Sequence, residues 1–231
     1  NWVSALPDVA YTLFAAIAFS LYVSYTRRLK KVSPSANLKT AYRKFFESFR
    51  SLSKERMFQL ARAHRKLLFV SLFYFLAMLA KEPAVLLPIL FVFFDAYMAK
   101  IPWRGFLHPS VVVRYVFLGI PLLIYGVMRM AVLEGFGSGS GYYGIFSVPE
   151  RVYAFVTLFG QYVAKLFVPY PLNFFYPFAK SSDFLGLAFL LSLFALIAFV
   201  AFFIWAVKVR QYLVGLFLLW FFVFLSPVLL A

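Results

Sequence analysis

Long uncharged stretches of apolar residues alternate along the chain with short clusters of charge. Three of these stretches, residues 10–26, 184–207 and 212–230, contain no charged residue. A helix that is apolar on every face has to be covered by lipid or by protein, and about 20 residues cross a hydrocarbon core of about 30 Å. The pattern therefore predicts an all-α fold, a polytopic transmembrane helix bundle.

Three further stretches bring the predicted number of spans to about six. Residues 67–80 and 84–97 flank a Lys-Glu-Pro turn whose proline is Pro83. As one helix they would extend about 46 Å, well beyond the hydrocarbon core, so a hairpin of two short helices is predicted. Residues 111–133 predict another span, kinked at Pro121.

Positive charge is concentrated between residues 27 and 66, which hold 13 of the 23 basic residues and only two glutamates. The positive-inside rule places this loop in the cytoplasm and the N-terminus outside. Within it, apolar positions recur at helical spacing from residue 38 to 52. This spacing predicts an amphipathic helix on the cytoplasmic surface, with a solvated basic linker as the alternative. No recognition fold accompanies the charge, so we expect no nucleic-acid partner.

The second half of the chain has a less regular pattern. Residues 134–150 hold five glycines and predict an external loop. Residues 152–168 are apolar enough to span. However, Lys208 and Arg210, between the last two spans, should be cytoplasmic, so both ends of this segment should be outside. It is therefore predicted to be a re-entrant or interfacial helix.

The whole chain is expected to be a single transmembrane domain and a fragment of a longer protein. Its predicted location is the cytoplasmic (inner) membrane or the endoplasmic reticulum membrane, as a multi-pass protein in contact with membrane lipids. The chain contains no cysteine, which excludes disulfides and thiolate metal sites.

Ionisable residues beside spans are the candidate site residues, because placing them in a membrane is unfavourable. On the predicted outer side these include Asp8, Lys81, Glu82, Arg129 and Lys165. Clustered cations there suit a phosphate-bearing ligand. Each signal has a structural alternative. Lys81 and Glu82 are also interpretable as a solvated turn pair, Arg129 as a snorkelling residue and Asp8 as a helix N-cap.

Other residues give weaker signals. Asp95 is expected near the cytoplasmic end of its helix, paired with Lys100 or water. Tyr176 belongs to an aromatic segment that either stacks on a sugar or polyprenyl chain or forms an interfacial belt. His64 and His108 are far apart in sequence and lack metal-ligand spacing, so no metal site is predicted, with a divalent metal left as an open alternative.

One stretch, MLAKEPAVLLPILFVFFDAY at residues 78–97, resembles the helix hairpin of a known family. This is the family of C-type, polyprenyl-phosphate-dependent membrane glycosyltransferases, specifically the O-mannosyltransferase-like transmembrane core of tetratricopeptide-repeat membrane proteins. Four other stretches resemble family segments in the same order: NWVSALPDVA, YGVMRMAVL, YVAKLFVPYPLNFFYP and the closing LSPV. Ala80 stands where the family has Ser, and Leu6 and Pro7 stand where it has Arg and Ala.

The resemblance implies that a sugar is transferred from a polyprenyl-phosphate-linked donor to a protein or glycan acceptor on the extracytoplasmic face. No cofactor is expected besides the lipid-linked donor. In the family, the Asp that deprotonates the acceptor belongs to a first external loop, which is expected upstream of Asn1. The chain as given is thus expected to hold mainly the donor side of an enzyme.

The resemblance also implies roles for individual residues. Lys81 and Arg129 would contact the donor phosphate. Glu82 would orient Lys81 or a sugar hydroxyl, and Asp8 would line the acceptor cavity. The supporting residues are Glu82, Asp8, Lys165 and Tyr176.

Two other classes of function are open. A non-catalytic membrane scaffold subunit with a glycosyltransferase-like fold is the main alternative, because the catalytic loop is not in this sequence. A transporter or lipid flippase would predict paired broken helices in two matching halves, which the sequence does not show.

Overall fold

The computed structural model describes residues 2–27, 39–43, 47, 54–133, 147–168 and 183–230. All regular structure within these ranges is helical, so the predicted all-α fold is confirmed. Within the same ranges, three helical stretches are long and apolar enough to cross a membrane, namely Leu6–Thr26, Pro109–Val132 and Leu187–Lys208. The chain is therefore an all-α membrane protein, and the number of about six spans stays a prediction.

The chain divides into two compact units, Asn1–Gly135 and Phe136–Ala231. Unit 1 contains helices α1 (Trp2–Thr26), α2 (Lys54–Ala80), α3 (Leu87–Phe93) and α4 (Pro109–Leu133). Unit 2 contains α5 (Val148–Phe167), α6 (Leu187–Lys208) and α7 (Tyr212–Leu230). The single transmembrane domain stays a prediction.

Helix α2 begins earlier than the apolar pattern indicates. It starts at Lys54, so the last part of the basic segment 27–66 is helical rather than a loop. Residues 39–43 are also helical. The rest of the predicted amphipathic helix, and the glycine-rich segment 134–146, lie outside the described residues.

The predicted break at the Lys-Glu-Pro turn is confirmed. Lys81 has an extended backbone and is followed by a 3-10 segment, Glu82–Leu86, with Pro83 in its first turn. Proline lacks the backbone N–H that an α-helix would use there, and its ring clashes with the preceding turn. The α2 helix therefore ends at Ala80.

Contacts along α1 show that the chain reverses at this turn. Lys81 contacts Asp8 near the start of α1. Further on, the π-helical segment Phe94–Met98 places Asp95 against Tyr22 near the end of α1. The stretch from Lys81 to Asp95 thus runs in the direction of α1 and opposite to α2, which is the predicted hairpin.

The returning arm of the hairpin packs against α1 and α2 through aromatic rings. The Phe91 side chain is fully buried, and its ring centroid lies 4.4 Å from that of Tyr22 and 6.5 Å from that of Tyr74. Helix α4 packs on α2, where the Ser71 hydroxyl donates to the Phe117 carbonyl over 2.8 Å. Aromatic pairs of this kind each contribute about 0.5–1.5 kcal/mol beyond the area they bury.

Helix α4 is a single helix that includes Pro121. The kink predicted at Pro121 stays a prediction. A Cβ added to either glycine of α4, Gly119 or Gly126, would meet no atom within 4 Å, so no neighbour requires their small size.

In unit 2, α5 starts at Val148 because its first turn is well capped. The Ser147 backbone N–H and hydroxyl both donate to the Glu150 carboxylate, each over 2.7 Å. Ser147 and Glu150 form a capping box, and Pro149 is preorganised for the first turn of a helix. The apolar pattern alone predicted a later start, at residue 152.

Helices α5, α6 and α7 pack around Phe159, which is fully buried. Its ring lies 5.4 Å from Phe199 of α6 and 6.3 Å from Phe222 of α7. Earlier in α5, the Tyr153 ring lies 5.3 Å from Phe189. The contacts therefore advance in the same direction along α5 and α6, so both helices begin at the same end of unit 2. The predicted re-entrant or interfacial path of residues 152–168 stays a prediction.

Candidate functional site

Charged residues from three helical segments meet at the end of unit 1 where α1 begins. Asp8 lies in the second turn of α1, and its carboxylate forms an ion pair with the Lys81 ammonium at the end of α2. The same ammonium lies 5.9 Å from the centroid of the Tyr11 ring, one turn further along α1. This contact joins the ends of α1 and α2.

A second ion pair joins α4 to the same turn. The Arg129 guanidinium donates from Nη1 to the Glu82 carboxylate over 2.5 Å and to the Tyr125 hydroxyl over 3.3 Å. Because Lys81 and Glu82 are consecutive, the two ion pairs are adjacent. We call Asp8, Lys81, Glu82 and Arg129 the charged cluster.

The structure corrects two interpretations of these residues. Helix α1 begins at Trp2, six residues before Asp8, so Asp8 is not an N-cap. Glu82 contacts Arg129 rather than Lys81, because neighbouring side chains on an extended-to-3-10 turn point in different directions. Lys81 and Glu82 are thus not a turn pair with each other, since each pairs with another helix.

The charged cluster contributes little to stability. The side chains of Lys81 and Arg129 are 37% and 30% exposed, and those of Asp8 and Glu82 are 51% and 63% exposed. Ion pairs this accessible contribute about 0–1 kcal/mol in water. The two cations are held in place yet remain open to an anionic ligand.

A different charged group lies inside unit 1. Asp95 is fully buried and accepts hydrogen bonds from the Tyr22 hydroxyl over 2.7 Å and the Tyr115 hydroxyl over 3.1 Å. Arg114, only 2% exposed, forms an ion pair with it over 3.1 Å. The pairing of Asp95 with Lys100 or water was therefore a wrong prediction. Lys100 lies on the exposed side of the turn, whereas α4 places Arg114 within the interior beside Asp95.

We call Tyr22, Asp95, Arg114 and Tyr115 the buried quartet. It lies near the end of α1, fourteen residues from Asp8, which is about 21 Å along a helix. It is thus separate from the charged cluster. Arg114 was not among the predicted site residues. The available signal was that Asp95 and Arg114 are charges within the apolar stretches 84–97 and 111–133.

Two predicted supporting residues are not brought to the charged cluster by any described contact. Lys165 lies in the last turn of α5, in unit 2, and is partly buried. Tyr176 lies outside the described residues. Their predicted roles stay predictions.

Each of the two histidines hydrogen-bonds with a hydroxyl group of the chain. His64 Nδ1 hydrogen-bonds with the Tyr25 hydroxyl over 2.8 Å, and His108 Nδ1 hydrogen-bonds with the Ser110 hydroxyl over 2.9 Å. Within the described part of the chain, no group of three or more metal-ligating side chains comes together.

Burial lowers the pKa of His64 below its ordinary value, so folding favours the neutral ring. The unfolded chain then binds more protons below about pH 6.5, and the free energy of unfolding should decrease as the pH falls from about 7 through the folded pKa. Thermal unfolding in detergent at pH 7.5 and pH 5.5 measures this. His64→Gln should weaken that pH dependence, and an unchanged dependence would refute the role of His64.

No family model, no curated protein and no solved structure matches this chain. The resemblance to the polyprenyl-phosphate-dependent glycosyltransferases therefore stays a prediction.

Proposed function

We propose that this protein binds a polyprenyl-phosphate-linked sugar at the charged cluster and belongs to an enzyme that transfers the sugar to an acceptor on the extracytoplasmic face. The observation that carries the proposal is the meeting of Lys81 and Arg129. They are 48 positions apart in sequence, yet their contacts converge on one turn at the ends of apolar helices. Two accessible cations at such a place suit a phosphate carried on a lipid.

In the proposed site, the phosphate binds between the Lys81 ammonium and the Arg129 guanidinium. Asp8 and Glu82 hold these cations in place before the ligand arrives. As the sugar leaves, negative charge develops on the polyprenyl phosphate, and the two cations stabilise it. The hydroxyl of Tyr125 keeps the Arg129 side chain directed toward the turn.

Removal of either cation should weaken binding of the phosphate. We expect Lys81→Ala and Arg129→Ala each to lower the affinity for undecaprenyl phosphate by about 10- to 100-fold, the range for a charged hydrogen bond. Binding is measured on purified protein in detergent, with undecaprenol as the ligand that lacks the phosphate. In the full-length protein, Lys81→Ala should also abolish sugar transfer.

Lys208→Ala is the matched control, because it removes an exposed cation at the end of α6. It should leave the affinity unchanged within about twofold, and its thermal unfolding should match that of Lys81→Ala. Equal affinities for undecaprenol and undecaprenyl phosphate, or wild-type affinity in both alanine variants, would refute the proposed site.

We further propose a multi-pass arrangement with α5 re-entrant from the outer side. Because the chain has no cysteine, single cysteines can be introduced directly and labelled with a membrane-impermeant maleimide. Ser147→Cys and Asp183→Cys, which flank the α5 region, should both react from outside. Gln211→Cys, between α6 and α7, should react only after permeabilisation. Labelling of Ser147→Cys and Asp183→Cys from opposite sides would show that the segment crosses the membrane instead.

A non-catalytic scaffold is the second proposal. It is favoured by one observation, that each cation of the charged cluster has a carboxylate partner within the chain. In this case the two ion pairs serve only to hold α1, α2 and α4 together. Normal thermal unfolding together with no binding of undecaprenyl phosphate by the wild-type protein would favour it.

A further inference from the structure

A short 3-10 turn, Trp103–Leu107, connects the hairpin to α4 at the end of unit 1 that holds the buried quartet. Two of its large apolar side chains point away from the protein. Trp103 is 83% exposed and Leu107 is 60% exposed. Arg104, also exposed, lies directly beside Trp103. Apolar side chains this exposed next to a cation are typical of a membrane–water interface.

Other cations are brought to the same turn. Lys100 precedes it by three residues and is exposed. The helical residues 39–43 dock on the turn, where the Tyr42 hydroxyl donates to the Leu107 carbonyl over 2.9 Å. Lys39 and Arg43, which lie three residues before and one residue after Tyr42, are exposed and are brought near the turn by this docking. We call Lys39, Arg43, Lys100, Trp103, Arg104 and Leu107 the basic aromatic surface.

The six residues of this surface include four cations and no acid. Arg43 pairs with Glu47, and within the described residues neither Lys100 nor Arg104 forms an ion pair. The surface therefore has an unbalanced positive potential beside exposed apolar groups.

The backbone of Lys100 is in the left-handed region, with φ of 55°. Glycine takes this conformation without the steric penalty that a lysine pays. The turn thus carries a cation at a position where its backbone alone would favour glycine.

We propose that the basic aromatic surface binds an anionic phospholipid of the adjoining leaflet. Arg104 and Lys100 contact the headgroup phosphates, while Trp103 and Leu107 enter the boundary between headgroups and acyl chains. A lipid fits better than a protein partner, because Arg104 lies between the exposed apolar side chains of Trp103 and Leu107 in one turn. Two residues later this turn leads into Pro109–Val132, which is long and apolar enough to cross a membrane. This site is independent of the proposed sugar donor site.

Native mass spectrometry of the purified full chain, titrated with phosphatidylglycerol or phosphatidylcholine, tests the proposal. We expect the wild-type protein to retain phosphatidylglycerol in preference to phosphatidylcholine. The double variant Lys100→Gln, Arg104→Gln should retain phosphatidylglycerol about 30-fold less, since each basic residue contributes about 1 kcal/mol near an anionic surface and about 1.4 kcal/mol is tenfold. Its affinity for phosphatidylcholine should be unchanged.

The control double variant, Lys208→Gln with Arg210→Gln, removes the same charge from the turn between α6 and α7 in unit 2. It should lower phosphatidylglycerol retention clearly less than the Lys100→Gln, Arg104→Gln variant does. Equal losses in the two double variants would overturn the proposal, because they would show a response to net charge alone. Retention of phosphatidylcholine as strongly as phosphatidylglycerol by the wild-type protein would overturn it too.

Lys100→Gly separates lipid binding from folding. This variant relieves the left-handed backbone, so its thermal unfolding temperature without lipid should equal or exceed that of the wild-type protein. Its retention of phosphatidylglycerol should nevertheless decrease. If a well-folded Lys100→Gly variant retains phosphatidylglycerol as well as the wild-type protein does, Lys100 is not part of the site. If the Lys100→Gln, Arg104→Gln variant also does so, the proposed site is overturned.

Discussion

Replacing Asp95 with leucine should lower the free energy of unfolding by about 3–5 kcal/mol, the range measured when one partner of a buried ion pair is removed. The variant leaves the Arg114 guanidinium nearly fully buried without its counter-charge. It also removes the acceptor of the Tyr22 and Tyr115 hydroxyls. Arg114 Nε already has no hydrogen-bond partner within the described residues, so little remains to compensate the charge.

Denaturant or thermal unfolding in detergent micelles measures this effect, and Glu82→Leu is the matched control. That control also removes one carboxylate from an ion pair with arginine, but Glu82 is 63% exposed. It should change the free energy of unfolding by less than about 1 kcal/mol. The double variant Asp95→Leu, Arg114→Leu should be more stable than Asp95→Leu alone, because no unpaired buried charge remains. Equal effects of Asp95→Leu and Glu82→Leu would contradict the buried ion pair.

Gly160→Ala should destabilise unit 2, because α5 and α6 lie close together at this glycine. A Cβ added to Gly160 would lie 2.5 Å from the Ser192 Cβ and 2.7 Å from the Ser192 Cα. Real Cβ atoms do not approach other atoms so closely, so the two helices have to separate. We expect a loss of about 1–3 kcal/mol, the usual effect of overpacking a close contact.

Thermal unfolding measures this loss, with Gly126→Ala in α4 as the matched control. A Cβ at Gly126 meets nothing within 4 Å, and alanine favours a helix over glycine, so the control should be neutral or stabilising by up to about 1 kcal/mol. Adding Ser192→Gly to Gly160→Ala should restore part of the lost stability, because it removes the nearest side-chain atoms. A Gly160→Ala variant as stable as Gly126→Ala would refute the close helix contact.

The sequence predicted the fold correctly where a feature depends only on residues close together in the chain. The helical class follows from apolar runs of a length that a membrane requires, and no partner helix is needed to read it. The break after Ala80 follows from Pro83, because a proline acts on its own turn wherever the helix lies. In contrast, the starts of α1 and α2 were missed, because both helices continue past their apolar runs into polar or mixed sequence.

Within the candidate site, the sequence by itself identified Asp8, Lys81, Glu82 and Arg129 as charges unusual beside spans. It could not assign their partners, because an ion pair depends on which helix ends meet and which way each side chain leaves the backbone. Only the tertiary structure paired Glu82 with Arg129 instead of Lys81.

The buried quartet shows the same limit at the other end of unit 1. Whether Asp95 faces water or the interior depends on the position of α4, which lies beyond any local pattern around Asp95. The close approach at Gly160 likewise depends on Ser192 of another helix. The sequence by itself determined that this chain is helical, belongs in a membrane and breaks at Pro83. The tertiary structure decided which charges are paired, which are buried and which remain open to a ligand, because those properties depend on contacts between residues distant in sequence.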